Sequence, residues 1–393
     1  MLLAIILIFA GNAYADSRSI HVDVAGTLPS LISDAEKYTV EELTITGQLN
    51  GDDFALLRAM AGNDMKGKPT DGKLSKLDIS WATIVAGGTY LDLDDQFIDL
   101  GNGKKIYVYP VEAKTSIANT FGDYLFAGCQ QLESVKTPTS LVKIGLNVFA
   151  ESGLTNIDLN SGLTTLDPYA FWESKLSSIT IPNTVIHIGD KYLVDNPFAY
   201  IDNLMSITLE ADNTRYEMAA GGKLLIDNIN HAVICALGNA AIPEGITWIG
   251  QNAFCNRPEL VNYTIPNWVT QIGGNSFSQC YNLESVVISN QMTTITNSAF
   301  TDCTKLTSVT IPSSVTKIMY NAFGDTGLTE ITIPSSVTSI EEQAFAHNQN
   351  LTTVISYITN PFDMSDDVFA KDWDSSNTNY PQTLIVPAAI TIG

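Results

Sequence analysis

The chain has 393 residues, 42 of them acidic and 20 basic, for a net charge of −22. That balance repels phosphate backbones and gains nothing at an anionic membrane surface, so nucleic acid is excluded as a partner. Charged residues make up only 16%, against about 25% in typical globular domains, and Ser, Thr and Asn take their place, the composition of an uncharged polar β-surface. At the N-terminus, Leu2 to Ala10 form an apolar core, and Ala13-Tyr14-Ala15 supplies a small-x-small pattern before a cut at Asp16. Residues 1–15 therefore read as a signal peptide, although no Lys or Arg precedes the apolar stretch. The run is too short for a bilayer core of about 30 Å, and no later run is long or apolar enough, so the mature chain is not expected to insert into a membrane.

Residues 16–116 read as an N-terminal cap with atypical repeats. Val40-x-x-Leu43-x-Ile45 and Leu74-x-x-Leu77-x-Ile79 have the spacing of short strands with alternating inward residues. Between them, Asp52 or Asp53 is placed to cap a helix through Phe54–Met60. Asp92 to Tyr109 reads as a hairpin turning at Gly101-Asn102-Gly103.

From 117 to 369 the chain repeats itself. Leading apolar residues stand at Leu132, Leu154, Leu176, Leu204, Leu237, Leu260, Leu283, Leu306, Leu328 and Leu351, at intervals of 22, 22, 28, 33, 23, 23, 23, 22 and 23. A second marker, the Phe of an Ala-Phe-like pair, recurs in step at Phe126, Phe149, Phe171, Phe254, Phe277, Phe300, Phe323, Phe345 and Phe369. In the unit that starts at Leu306, Val309 and Ile311 point inward while Ser308 and Thr310 point out. Pro312 ends the strand because it has no N–H to donate. Val315 and Ile318 return inward, and Ala322-Phe323 fill the core from a short helical turn. One such unit cannot close a core, so neighbours must stack. The expected fold is an α/β repeat, a single curved solenoid of parallel strands and short helical turns.

The pattern L-x-x-I-x-I-P-x-S-V-x-x-I-x-x-x-A-F-x-x-C resembles the BspA-like leucine-rich repeats of bacterial surface proteins. The resemblance implies a secreted or cell-surface binding protein, with adhesion through protein–protein contact and host extracellular-matrix proteins such as fibronectin or fibrinogen as partners. It also implies that residues 370–393 are a closing segment, with a last strand at Leu384-Ile-Val-Pro387, incomplete as a cap.

The departures from the repeat carry their own expectations. The 33-residue interval holds two strand-like runs, Lys223–Asp227 and Ala232–Ala236, joined by Asn228–His231. They read as a hairpin insertion at about 211–236, structural decoration before it is a binding element. Cys129, Cys280 and Cys303 each follow a marker Phe by three residues and are expected to stack as small buried groups; adjacent rungs also permit a Cys280–Cys303 bond.

Sequence motifs for catalysis are lacking: there is no G-x-S-x-G, H-E-x-x-H, P-loop or G-x-G-x-x-G. His231 with Cys235 is the one Cys–His pair with strand-like even spacing, and a packed Cys beside a surface His explains it better. Asp92, Asp94 and Asp95, and Asp372 with Asp374, are candidate calcium clusters, but neither has the Gly and Glu of an EF-hand loop. Neither a metal nor a cofactor is expected. The best candidate surface is the outward side of the strand ladder: Asn156, Asp158, Thr180, Thr208, Asn262, Thr264, Thr310, Glu330 and Thr332. Thr columns also stack simply because Thr suits a strand, and this face lacks the Trp, Tyr and Arg anchors common at binding hot spots. Trp81, Trp172, Trp248, Trp268 and Trp373 are the available aromatic anchors. A glycan-binding or envelope-scaffolding module is the alternative reading, favoured by any exposed aromatic platform beside polar groups.

Overall fold

A computed structural model describes residues 16–190, 194–360, 362–370 and 383–385. The expected signal peptide at 1–15, Trp373, Asp372, Asp374 and most of the expected closing segment lie outside the described residues.

The chain winds through three sides per repeat. The first side carries a parallel ladder: Ser17–Val22, Glu42–Leu49, Lys76–Ile84, Ser134–Lys136 and Asn156–Asp158 form one sheet in that order. It continues as Ser178–Ile181 with Ser206–Leu209, then Asn262–Thr264 with Ser285–Val287 and Ser308–Thr310, then Glu330–Ile333 with Thr353–Ser356 and Thr383–Ile385. Short two-residue strands such as Lys143–Ile144, Thr165–Leu166 and Lys317–Ile318 make the second, also parallel, side.

The third side carries the marker Phe residues. Phe126, Phe149, Phe171 and Phe198 stack at 5.6 Å between ring centroids. Phe254, Phe277, Phe300, Phe323, Phe345 and Phe369 stack at 5.0–5.4 Å. Phe198 was not legible as a marker because Asn196-Pro197 precedes it where Ala is usual. The expected helical turn is a chain of turns instead. Residues two before and two after most of these Phe residues have positive φ, as at Asn275 (53°) and Gln279 (59°) around Phe277. A helix cannot run through left-handed residues. Their backbones bond from rung to rung: Asn275 N to Asn297 O at 3.0 Å, Phe277 N to Ala299 O at 2.9 Å, Gln279 N to Thr301 O at 2.8 Å. Asn recurs at these sites because it tolerates that conformation better than most residues.

Among the described residues, helices occur in the first 60 positions. Leu28–Leu31 and a 3-10 turn at Glu36–Tyr38 precede Gly51–Met60. The cap of that last helix is Asn50, whose Oδ1 accepts from Asp52 N at 3.0 Å. This corrects the assignment to Asp52 or Asp53, since the helix starts before both. Asp53 closes the capping box on Asn50 N at 2.9 Å and also accepts from Leu28 N at 2.9 Å and Gly26 N at 2.6 Å. One buried carboxylate thus ties the helix to the entering chain. The chain then leaves the ladder between Ile84 and Ser134, and there Phe97–Asp99 pairs antiparallel with Lys105–Tyr107 across Gly101 and Gly103, both left-handed.

The insertion packs as a wall inside the solenoid. Tyr216–Ala219, Leu224–Asp227 and Ala232–Ala236 are antiparallel in sequence, and Ala232–Ala236 joins Trp248–Ile249 in the second ladder. Every residue of the last two hairpin strands is buried. Leu225, Ile234 and Cys235 face the core on the N-terminal side, while Leu224, Ile226 and Val233 face the core that runs on to Val368. Alternation along the strands, interrupted by a bulge where Leu225 pairs with Cys235 and Ile226 with Val233, lets one hairpin close two cores.

Candidate functional site on the first strand ladder

All nine candidate residues are exposed on the outward side of the first ladder. They stand on four hydrogen-bonded groups of strands along that ladder. Asn156 and Asp158 belong to the first sheet, Thr180 and Thr208 to the second, Asn262, Thr264 and Thr310 to the third, Glu330 and Thr332 to the fourth. Thr264, Val287 and Thr310 stand in register, with Val287 57% exposed between two threonines. Ser285 Oγ bonds Asn262 Oδ1 at 2.6 Å, so part of this column satisfies itself.

The densest chemistry lies at the cap end. One row runs Ser17, Glu42, Lys76, Ser134, Asn156, and the next Ser19, Thr44, Asp78, Lys136, Asp158. Opposite charges meet across strands: Lys76 Nζ to Glu42 at 2.6 Å, Lys136 Nζ to Asp78 at 3.0 Å. The third row is His21, Thr46 and Trp81, with His21 Nδ1 at 2.7 Å from Thr46 Oγ1. Trp81 is 76% exposed. An indole that open, on a β-face beside an imidazole, is a feature that burial would otherwise remove.

A bulge puts it there. Leu77 and Ile79 point inward, so strict alternation would send Trp81 inward as well. Thr44 pairs with Asp78 but Thr46 pairs with Trp81, leaving one extra residue in the second strand. Ser80 takes that place, held by Asp78 Oδ1 at 2.7 Å to its hydroxyl and 3.1 Å to its N–H. The slip flips Trp81 outward and Ala82 into the core. Of the other tryptophans, Trp172 and Trp248 are half-buried and Trp268 is 40% exposed beside Pro266 in a turn.

The other candidates dissolve on geometry. His231 is exposed in the hairpin turn with φ 50°, while Cys235 is fully buried, so the two share no strand face. Asp92 and Asp94 both hold Lys66 Nζ, at 2.9 and 3.3 Å, and Asp95 holds Lys68 at 3.3 Å. A lysine ammonium occupies the place a cation would take. All five cysteines are buried free thiols. Cys280 Sγ lies 3.1 Å from Phe254 O and Cys303 Sγ 3.2 Å from Phe277 O, so each thiol caps a carbonyl of the preceding rung and no bond joins the two.

A family model for the BspA type leucine-rich repeat region matches residues 113–220 and 231–352 in six copies. The gap between the two matches falls on the hairpin. No curated protein matches the chain in sequence. Among solved structures, a leucine rich cell surface protein from Faecalibacterium prausnitzii is similar at 18% identity and a TM-score of 0.53, over 90% of this chain and 80% of that one. The pneumococcal vaccine antigen PcpA is similar at 16% identity and a TM-score of 0.54, over 90% and 82%. At such identities the likeness is one of fold.

Proposed function

Because this chain belongs to the BspA-type leucine-rich-repeat family, we propose that it is an exported cell-surface protein that binds another protein on its first strand ladder. The observation that carries this reading is the row of His21, Thr46 and Trp81, an open aromatic anchor bordered by two rows of alternating charge. Buried tryptophans at interface centres supply a large share of binding energy, and polar rims supply register. The uncharged Thr and Asn columns beyond Asp158 extend the surface along which a partner lies. The structural relatives named as a cell surface protein and as a vaccine antigen support a surface location. The family resemblance suggests an extracellular-matrix protein as partner.

The test is binding of the full chain to immobilised fibronectin and fibrinogen, with Trp81→Ala and with Thr264, Thr310 and Thr332 replaced together by Lys. Truncation of a central anchor should weaken binding by about 2 kcal/mol or more. Loss in the lysine triple as well places the partner along the whole ladder. Binding that survives both variants, or absence of binding to either protein, overturns the reading.

A further inference from the structure

The third side of a regular solenoid is a plain stack of turns, yet here it contains a cavity of about 610 Å³. Its floor is the column of residues two beyond each marker Phe: Glu151, Glu173, Tyr200, Asn256 and Gln279. Their left-handed backbones, with φ from 49° to 59°, turn successive side chains onto one flank. A second column stands beside it two residues later, where Asp202 and Tyr281 rise. The hairpin that leaves the cap closes one end, because Lys104 Nζ reaches across to Glu151 at 3.1 Å and Glu173 at 2.8 Å.

The lining chemistry selects the ligand. Lys104 and Lys175 face Glu151, Glu173 and Asp202, so the charges nearly cancel and neither a strong anion nor a strong cation is favoured. Three of the charged groups are already engaged with one another. The rest of the lining is a set of amides, Asn203, Asn256 leaning on Asp202, and Gln279, whose side chain also bonds Asp302, with the hydroxyls of Ser174 and Tyr281. Such groups donate and accept at once, which suits paired hydroxyls on adjacent carbons. Tyr281 is 43% exposed at the rim and offers a ring face to the apolar C–H side of a pyranose. The volume falls within the range of about 300–1,000 Å³ usual for small-ligand sites. The geometry points to a binding groove for a neutral oligosaccharide on the third side, separate from the strand ladder.

The experiment is saturation-transfer NMR and calorimetry on the full chain with a panel of neutral glycans, maltotriose and triacetylchitotriose among them. Trigalacturonate and spermidine serve as charged counter-probes. Neutral sugars should bind, Tyr281→Ala and Gln279→Ala should each weaken them about tenfold, and Trp81→Ala should leave them unchanged. Both groove residues are at least partly exposed, and circular dichroism confirms that each variant is folded; if Tyr281→Ala is not, Gln279→Ala decides. No transfer to any neutral glycan, preference for either charged probe, or unchanged affinity in the folded groove variants overturns the proposal. Because Trp81→Ala tests only the ladder, failure of the protein-binding reading and failure of this one are told apart.

Discussion

Arg58 of the cap helix donates from Nη1 to the carbonyl oxygen of Leu125 at 2.7 Å, 67 positions further along the chain. The same nitrogen reaches Tyr124 O at 3.0 Å, and Nη2 reaches Asn63 Oδ1 at 2.9 Å and Ala127 O at 3.3 Å. The guanidinium is fully buried and burial lowers its pKa, yet its bonds go to carbonyl oxygens. It clamps the helix to the first turns of the repeat, where main-chain carbonyls have no preceding rung to bond. Arg58→Met keeps the apolar volume and strands those carbonyls, at a cost on the order of 3–5 kcal/mol. Nearest-neighbour coupling in a solenoid makes the damage local. Amide hydrogen exchange should therefore quicken across residues 17–84 and stay slow across 262–356. Uniform acceleration, or none, contradicts the clamp.

The phenylalanine column makes a second prediction about locality. Phe300 is fully buried between Phe277 and Phe323, with both centroid distances 5.3 Å. Phe369 is half-buried and stacks on Phe345. Phe300→Ala should cost about 3–5 kcal/mol, and Phe369→Ala roughly half as much, read from urea denaturation of each variant. Equal costs would mean that the column is filler and not a cooperative stack.

Burial decides the thiol chemistry. It raises Cys129 to about 11 and Cys255 to about 12, and lifts Cys235 and Cys303 as well. A thiolate is the reactive form, so Ellman's reagent near neutral pH should find no accessible thiol in the native protein and all five after denaturation. Labelling of any cysteine without unfolding would refute the packing described for these rungs.

The architecture was legible in the sequence wherever one unit copies the next, because identical spacing forces identical burial. Leu306, Val309 and Phe323 announce their roles by recurrence. What escaped is what happens once. Arg257 occupies the slot three after the marker Phe, which holds Cys129, Cys280 and Cys303 elsewhere, and it donates from Nε to Ala236 O at 2.6 Å at the hairpin wall. A buried arginine is visible only when the broken rung it repairs is known. Trp81 was one of five candidate anchors, but its exposure escaped for a similar reason: a single bulge at Ser80 reverses the alternation on which inward and outward assignments rest. The strand-face candidates were placed on the right side by periodicity, but the hairpin that separates Thr208 from Asn262 along the ladder packs in a way no local pattern encodes. The groove on the third side required the hairpin that carries Lys104 to fold over residues 47 and 69 positions away.

Glu151 gives the protein a pH dependence with a definite sign. Burial, then the neighbouring Glu173, pushes its carboxyl from an ordinary 4.5 up to about 7, and Lys104 only partly opposes this. The folded chain thus holds this proton more tightly than the unfolded chain does. The contribution to stability is complete below about pH 4.5 and is lost as the pH rises through about 7. Glu151→Gln keeps the shape and removes the titration, while Glu173 remains to hold Lys104 at 2.8 Å. The variant should melt about 2 °C above the parent near pH 8 and no higher than the parent near pH 4.5. Calorimetric scans at both values decide it. A variant that melts lower at both would show that the Lys104 contact at 3.1 Å outweighs burial, and that Glu151 is an ordinary ionised carboxylate.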